Sequence, residues 1–272
     1  MEIPEEKKSI RTILDRAWEN QDLLIRVGVI AGLLGFMVYR IIYFDRFPGT
    51  WESTLRHFRF QAILSEDQIA TTARIQLFWA IRLLLWTLES VNLVAYVISY
   101  WTRIPSINRS EGFMETVYPF AVSGIPFVMV LFRERLFFSA LTRSSFFALY
   151  LGILILMSAG SLVSLLGVMH LRRSFAIRVE ARALVQSGPY RWIRHPIYLG
   201  YFITFLGSCI LHFNGLTAAL YAIFILAQIA RARLEEEKLV ESFPAYAAYQ
   251  ERTGMFVPRM VSSGSFLHKV IL

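Results

Sequence analysis

Residues 146–170 read FFALYLGILILMSAGSLVSLLGVMH, an apolar run without a single Asp, Glu, Lys or Arg. A helix needs roughly 20 such residues to cross a hydrocarbon core of about 30 Å, so this stretch is long enough to span a bilayer by itself. Three further apolar runs precede it, at about residues 23–44, 75–101 and 116–132. Inside lipid no water is available to pair with backbone amides, which leaves helices or a closed barrel. The short alternating segments of a barrel are absent from the sequence.

After residue 170 two shorter apolar runs follow, Pro196 to Leu211 and Leu216 to Ala230, with the polar break His212-Phe213-Asn214-Gly215 between them. This pattern predicts a helical hairpin. The expected fold is therefore all-α: a polytopic membrane bundle of about six transmembrane or half-crossing helices, including a C-terminal hairpin, with a cytosolic cap. The composition agrees, since the 272 residues are 56% hydrophobic and 18% charged, with a mean hydropathy of +0.48.

Four segments follow from this reading: an amphipathic interfacial N-terminus (1–22), transmembrane helices 1–4 (23–170), a loop with hairpin and C-terminal segment (171–260), and a tail (261–272). In the first, Ile10, Ile13, Leu14, Ala17 and Trp18 recur at helical spacing opposite Arg11, Asp15, Arg16 and Glu19. It lacks the apolar core and cleavage site of a secretory signal, so we read it as mature protein. The stretch WESTLRHFRFQAIL, residues 51–64, reads as a second interfacial helix. Placing both termini in the cytosol, across a bacterial inner membrane or the endoplasmic reticulum membrane, gathers most inter-span Lys and Arg inside.

The net charge of +8 is spread between apolar spans, which argues for membrane topology over nucleic-acid binding. The lone cysteine, Cys209, offers no disulfide, and the five histidines show no ligand spacing, so no metal is expected.

Between the fourth span and the hairpin lies LRRSFAIRVEARALVQSGPYRWIRHPIYLG, residues 171–200, dense in Arg and Tyr. Gly188-Pro189 forces a turn, and His195-Pro196 opens a helix with proline at its first position. Arg191, Arg194 and His195 surround that helix start, an arrangement suited to an anion. After the hairpin, Glu235, Glu236 and Glu237 return to the same membrane face. A cationic and an acidic cluster facing each other suit a zwitterion that carries a carboxylate and an ammonium or sulfonium. Arg172 and Arg173 read as topology anchors, and Tyr246 and Tyr249 as residues packing the tail against the membrane surface. Within the second span, Arg82, Glu89 and Asn92 share one helical face. As costly intramembrane polar groups they are candidate lining of a substrate cavity, alongside the alternative of a buried contact between helices.

Gly188-Pro189-Tyr190, Arg194-His195-Pro196, Tyr198, Gly200, Glu235-Glu236, Leu239, Phe243, Tyr246, Tyr249 and Pro258 occur in order around a short hairpin. This series resembles the C-terminal signature of the isoprenylcysteine carboxyl methyltransferase and phospholipid methyltransferase superfamily. The resemblance implies an integral membrane enzyme that uses S-adenosylmethionine to methylate a lipophilic acceptor: an isoprenylcysteine carboxylate, a phospholipid amine, or another small amine, thiol or acid. It implies a cofactor site made by Gly188, Pro189, Tyr190, His195, Pro196, Tyr198, Gly200, Glu235 and Glu236. His195 and Tyr198 would meet the methionine portion, and the backbone near Gly188 and Gly200 would make room for the nucleoside. Arg194 and Glu236 form the expected catalytic pair. Counting back from Phe243 favours Glu235 and Glu236 as the matching glutamates. An NADPH-dependent sterol reductase-like enzyme is the nearest alternative; Ile197, where that branch favours asparagine, speaks against it. A transporter or other non-catalytic membrane protein is the alternative from another class.

Overall fold

The computed structural model describes residues 22–38, 68–131 and 143–259. The expected interfacial segments before residue 22 and at 51–64, and the tail from 261, lie outside the described residues. Those described form eight α-helices and no strand: α1 (22–38), α2 (Gln68–Trp101), α3 (Gly112–Thr116), α4 (Tyr118–Leu131), α5 (Arg143–Leu171), α6 (Pro196–Leu211), α7 (Gly215–Ser242) and α8 (Ala245–Arg252). Two single-turn 3-10 helices, Arg172–Ser174 and Gly188–Arg191, punctuate the segment between α5 and α6.

Three helices among the described residues are long and apolar enough to cross a membrane: α5, α7 and the greater part of α2. The chain is thus a helical membrane bundle, though with fewer full-length spans among these residues than the six segments expected. The reasons are local. The third predicted span is the short α4, which has only 14 residues and carries Pro126 inside them. The first hairpin arm, α6, has 16 residues and falls short of the hydrocarbon thickness. The second arm, expected to stop near Ala230, continues as helix through the charged run to Ser242. Its entry is fixed by a reciprocal cap: Asn214 Oδ1 accepts from the Thr217 amide at 2.8 Å, and Thr217 Oγ1 accepts from the Asn214 amide at 3.0 Å.

Helix α5 packs along α6 on one side and α2 on the other, while α7 packs on α6 and α4. The α5–α6 contact is made by small residues, as helix pairs in lipid commonly are. A Cβ on Gly200 would lie 2.6 Å from the Gly160 carbonyl oxygen, and one on Gly160 would lie 2.8 Å from the Gly200 carbonyl oxygen. The two helices therefore touch backbone to backbone.

Over one end of this bundle, loops form the cap. Ala181 and Asn108 exchange backbone hydrogen bonds of 3.0 and 3.2 Å, and the Val179 amide donates to the Glu115 carbonyl at 3.0 Å, tying the 172–195 segment to the α2–α3 connection. The Arg194 and His195 amides donate to the carbonyls of Gly254 and Met255 at 2.9 and 3.0 Å, which docks the C-terminal segment beside the start of α6.

Candidate functional site

The cap brings the two halves of the sequence motif together. Arg194 Nε donates to Glu236 Oε1 at 2.6 Å and Arg194 Nη2 to Glu236 Oε2 at 3.2 Å, while Arg194 Nη1 donates to the carbonyls of Gln250 and Thr253. His195 Nε2 lies 2.9 Å from Glu236 Oε1, and Gln250 Nε2 donates to Glu236 Oε2 at 3.0 Å. A carboxylate only accepts, so it can serve all these donors at once. Glu236 is thereby the joint of three segments: the pre-hairpin turn, α7 and α8.

Glu235 has a different position. The Tyr198 hydroxyl donates to its Oε1, and Arg231, one turn earlier on α7, donates to the same oxygen at 3.1 Å. The Arg231 guanidinium lies over the Tyr198 ring at 5.3 Å and also serves the Ile177 carbonyl at 2.6 Å and Ser123 Oγ at 3.1 Å. His195 stacks on Tyr198 with centroids 5.4 Å apart and ring planes within 5° of parallel. Glu237 is exposed, so Glu235 and Glu236 are the two glutamates that meet the motif.

A cavity of about 560 Å³ opens onto this cluster and follows α6 from His195 to His212, roughly 26 Å at the helical rise of 1.5 Å per residue. Tyr190, Arg194, His195, Tyr198 and Glu235 line its cap end. Arg82, Glu89 and Asn92 line it from α2, so the charged face read from the second span fronts the same space as the C-terminal motif. Glu236 is not part of the lining.

The expected site residues are distributed unevenly about this cavity. Gly188, Pro189, Pro196 and Gly200 do not line the cavity. A Cβ at Gly188 would lie 2.1 Å from the His170 ring, and its φ of +59° is one that glycine tolerates. Gly200 faces α5, where a Cβ would meet the Gly160 carbonyl oxygen and the Ser164 amide nitrogen, each at 2.6 Å. Pro196 is the buried first residue of α6. The two charge clusters largely neutralise each other through the Arg194–Glu236 and Arg231–Glu235 pairs, where the sequence implied an open pair of opposite charges. Arg191 stands outside this arrangement, exposed beside the Trp192 ring.

Tyr246 and Tyr249 are buried on the cavity wall, not spread on the membrane surface. The Tyr249 hydroxyl donates to the Tyr190 carbonyl at 2.6 Å, and burial pushes that phenol up to about 12, so it stays a donor through the neutral range. Burial, with the negative charge of Glu235, also holds the Tyr190 phenol well above its usual value.

Residues the motif did not name complete the cap. Asp22, at the start of α1, accepts from Arg103, from Arg178 at 2.7 Å and from Arg26 at 3.0 Å. Arg178 continues to Glu180 at 2.9 Å, and Glu180 to Arg182. The i,i+4 spacing of Arg231 and Glu235 was a readable signal; the Asp22 contacts, between distant segments, left none. No group of three or more metal-ligating side chains occurs among the described residues.

Residues 150–241 match the family model for the isoprenylcysteine carboxyl methyltransferase (ICMT) family. The chain is similar to the protein-S-isoprenylcysteine O-methyltransferase of Saccharomyces cerevisiae, 40% identical over 78 residues, which is 28% of this chain and 32% of that protein. The cobalt-zinc-cadmium resistance protein CzcN of Cupriavidus metallidurans is 38% identical over 78 residues, 28% of this chain and 36% of its own. Methanethiol S-methyltransferase 1 of Bradyrhizobium diazoefficiens is 37% identical over 71 residues, 25% of this chain and 24% of its own. The matched region thus spans about a third or less of each of these relatives, and in this chain it runs from within α5 almost to the end of α7. With the motif assembled as described and the family model matching across it, the segment from residue 150 to 241 is similar to the isoprenylcysteine carboxyl methyltransferase family.

Proposed function

We propose that this protein is a membrane-embedded methyltransferase that takes its methyl group from S-adenosylmethionine and passes it to a lipophilic acceptor at the cytosolic membrane interface. The observation that carries the reading is one continuous cavity, which joins the family motif at the cap to the membrane-embedded face of α2. One end is built for a charged cofactor, and the other is reached among apolar helices.

The residues fit such a cofactor. Glu235 offers a carboxylate at the wall, held in place by Tyr198 and Arg231, to meet an ammonium or sulfonium. His195 stacked on Tyr198 gives a flat aromatic surface beside it. Arg178 and Arg182, on the same wall, carry the positive charge that a carboxylate requires. When bound, S-adenosylmethionine supplies an electrophilic methyl on sulfur. The chain's own part is then alignment and exclusion of water, which is the main demand of an in-line displacement. Arg194 and Glu236 act as positioning residues: their pair fixes where His195 and the C-terminal segment stand. In this reading residues 23–170 form the acceptor side and 171–260 the cofactor side, with both termini in the cytosol.

The test is calorimetry with S-adenosylmethionine on the purified protein in detergent, with NADPH as the competing ligand, beside Glu235→Gln and His195→Ala. Micromolar binding weakened by both substitutions supports the reading. Binding to NADPH in its place would favour the reductase branch.

A further inference from the structure

Behind the cap end of the cavity, a group of buried polar atoms has no hydrogen-bond partner among the described residues: Arg103 Nε and Nη1, Arg182 Nε and the Tyr100 hydroxyl. The side chains of Arg103 and Arg182 are 0% and 3% exposed, and Tyr100 is 0% exposed. These residues lie together. The Arg103 guanidinium sits 4.1 Å over the Tyr100 ring, and Arg182 Nη1 donates to the carbonyl of Ile104, the residue that follows Arg103.

The remaining contacts leave positive charge over. Arg103 Nη2 donates to Asp22 Oδ1, and Arg182 Nη2 donates to Glu180 Oε2. Arg178 stands between them, 2.7 Å from Asp22 Oδ1 and 2.9 Å from Glu180 Oε1. Among the described residues, the two carboxylates thus face three guanidiniums that are at most 3% exposed, with Arg26 at the rim, 26% exposed. Burial pushes Arg182 below its ordinary value; Glu180 opposes this, and the like charge of Arg103 adds to it.

Water would answer the orphaned N–H and O–H groups but not the charge. A buried cation lacking a counter-charge costs far more than an unpaired neutral group. Each orphaned group can donate, so the complement is one negative charge on an atom with lone pairs. Enclosure keeps that ligand small. Arg103 and Tyr100 do not line the cavity, whereas Arg178 and Arg182 do, which makes their stretch of wall the way in. We propose that the cluster is a site for a monovalent anion of halide size, held by Arg103, Arg182 and Tyr100 behind the cavity wall. Arg103 and Tyr100 set it apart from the cofactor's carboxylate, which the reading above places on the cavity side of Arg178 and Arg182. The anion ties the end of α2 to the 172–182 segment and, through Asp22, to the start of α1.

The test needs no methyl donor, so it stands or falls apart from the methyltransferase reading. The full-length protein in detergent is placed in sodium gluconate, and chloride replaces gluconate at constant ionic strength while thermal unfolding is followed. The melting temperature is expected to rise with chloride in the manner of a ligand that binds only the folded state. Bromide should act as chloride does, and sulfate should do no more than gluconate. Tyr100→Phe removes a single donor and is expected to move the chloride dependence to concentrations roughly two- to tenfold higher. Arg182→Gln is expected to abolish it. Saturable broadening of the chloride NMR signal by the unsubstituted protein, reversed by bromide, reads the same site without any variant. Equal melting temperatures in chloride and gluconate, with no saturable broadening, overturn the proposal. So does a sulfate effect larger than that of chloride, or a chloride effect that persists unchanged in Arg182→Gln.

Discussion

Arg194 and Glu236, 42 residues apart in the chain, are joined by two parallel hydrogen bonds of 2.6 and 3.2 Å, with side chains only 12% and 9% exposed. The relation closes the cap: the same carboxylate receives His195 from the start of α6 and Gln250 from α8. Glu236→Gln keeps the shape but removes the charge that answers the guanidinium. Breaking one partner of a buried pair costs roughly 3–5 kcal/mol, and a loss of that order is expected in thermal unfolding of the detergent-solubilised protein. Arg194→Lys should fall between, since an ammonium cannot make the forked contact. An unchanged melting temperature in Glu236→Gln would mean that the pair does not hold the cap.

Glu235 and Glu237 separate binding from scenery. Glu235 lines the cavity under Tyr198 and Arg231, whereas Glu237 is exposed on the opposite side of the helix turn. Glu235→Gln is expected to weaken S-adenosylmethionine binding by at least tenfold, while Glu237→Gln leaves both affinity and stability within about 0.5 kcal/mol of the parent. Equal losses in the two variants, measured by calorimetry, would contradict the placement.

The sequence made the bundle and the motif legible for different reasons. Apolar runs such as 146–170 announce themselves because lipid imposes one length and one polarity on a spanning helix. The residues from Gly188 to Glu236 were recognisable as a set, yet their individual roles were not. Gly200 and Glu235 stand in the same motif, but one packs a helix and the other faces a cavity. Only three-dimensional neighbours distinguish them. The end of α7 was misjudged because hydropathy stops at Ala230, whereas the helix continues on the pairs Arg231–Glu235 and Arg194–Glu236, which hydropathy does not register. The face of Arg82, Glu89 and Asn92 could be read from spacing, but its meeting with the C-terminal motif could not.

The crossing of α5 and α6 has a direct test in two glycines. Gly200→Ala places a methyl 2.6 Å from the Gly160 carbonyl oxygen and the Ser164 amide nitrogen, which are backbone atoms that cannot step aside. Overpacking of this kind costs typically about 1–3 kcal/mol, and a correspondingly lower unfolding temperature is expected. Gly152→Ala, one helix surface away with nothing within 4 Å of the added atom, should be neutral or slightly stabilising. If both variants melt alike, the close approach of the helices is not what glycine provides there.

Asp22 fastens α1 to the cap through Arg103, Arg178 and Arg26. Partial burial works to raise its carboxyl, but the charges of Arg103 and Arg178 and the hydrogen bonds from Arg103 and Arg26 outweigh it and hold the group below its ordinary 3.8. A carboxyl depressed in the folded state stabilises the fold at every pH above its unfolded value, and the contribution is lost as pH falls through the folded one. Attachment of α1 should therefore be constant from neutral pH down to about 4 and weaken only below 3.8. Asp22→Asn removes it at all pH values, at a cost somewhat under the roughly 3–5 kcal/mol of a fully buried pair, because the side chain is 17% exposed. Hydrogen exchange across residues 22–38 measures this: protection is expected to fall in the variant at pH 7 and in the parent only in strong acid. Equal protection in variant and parent at pH 7 would show that α1 is held by its apolar contacts alone.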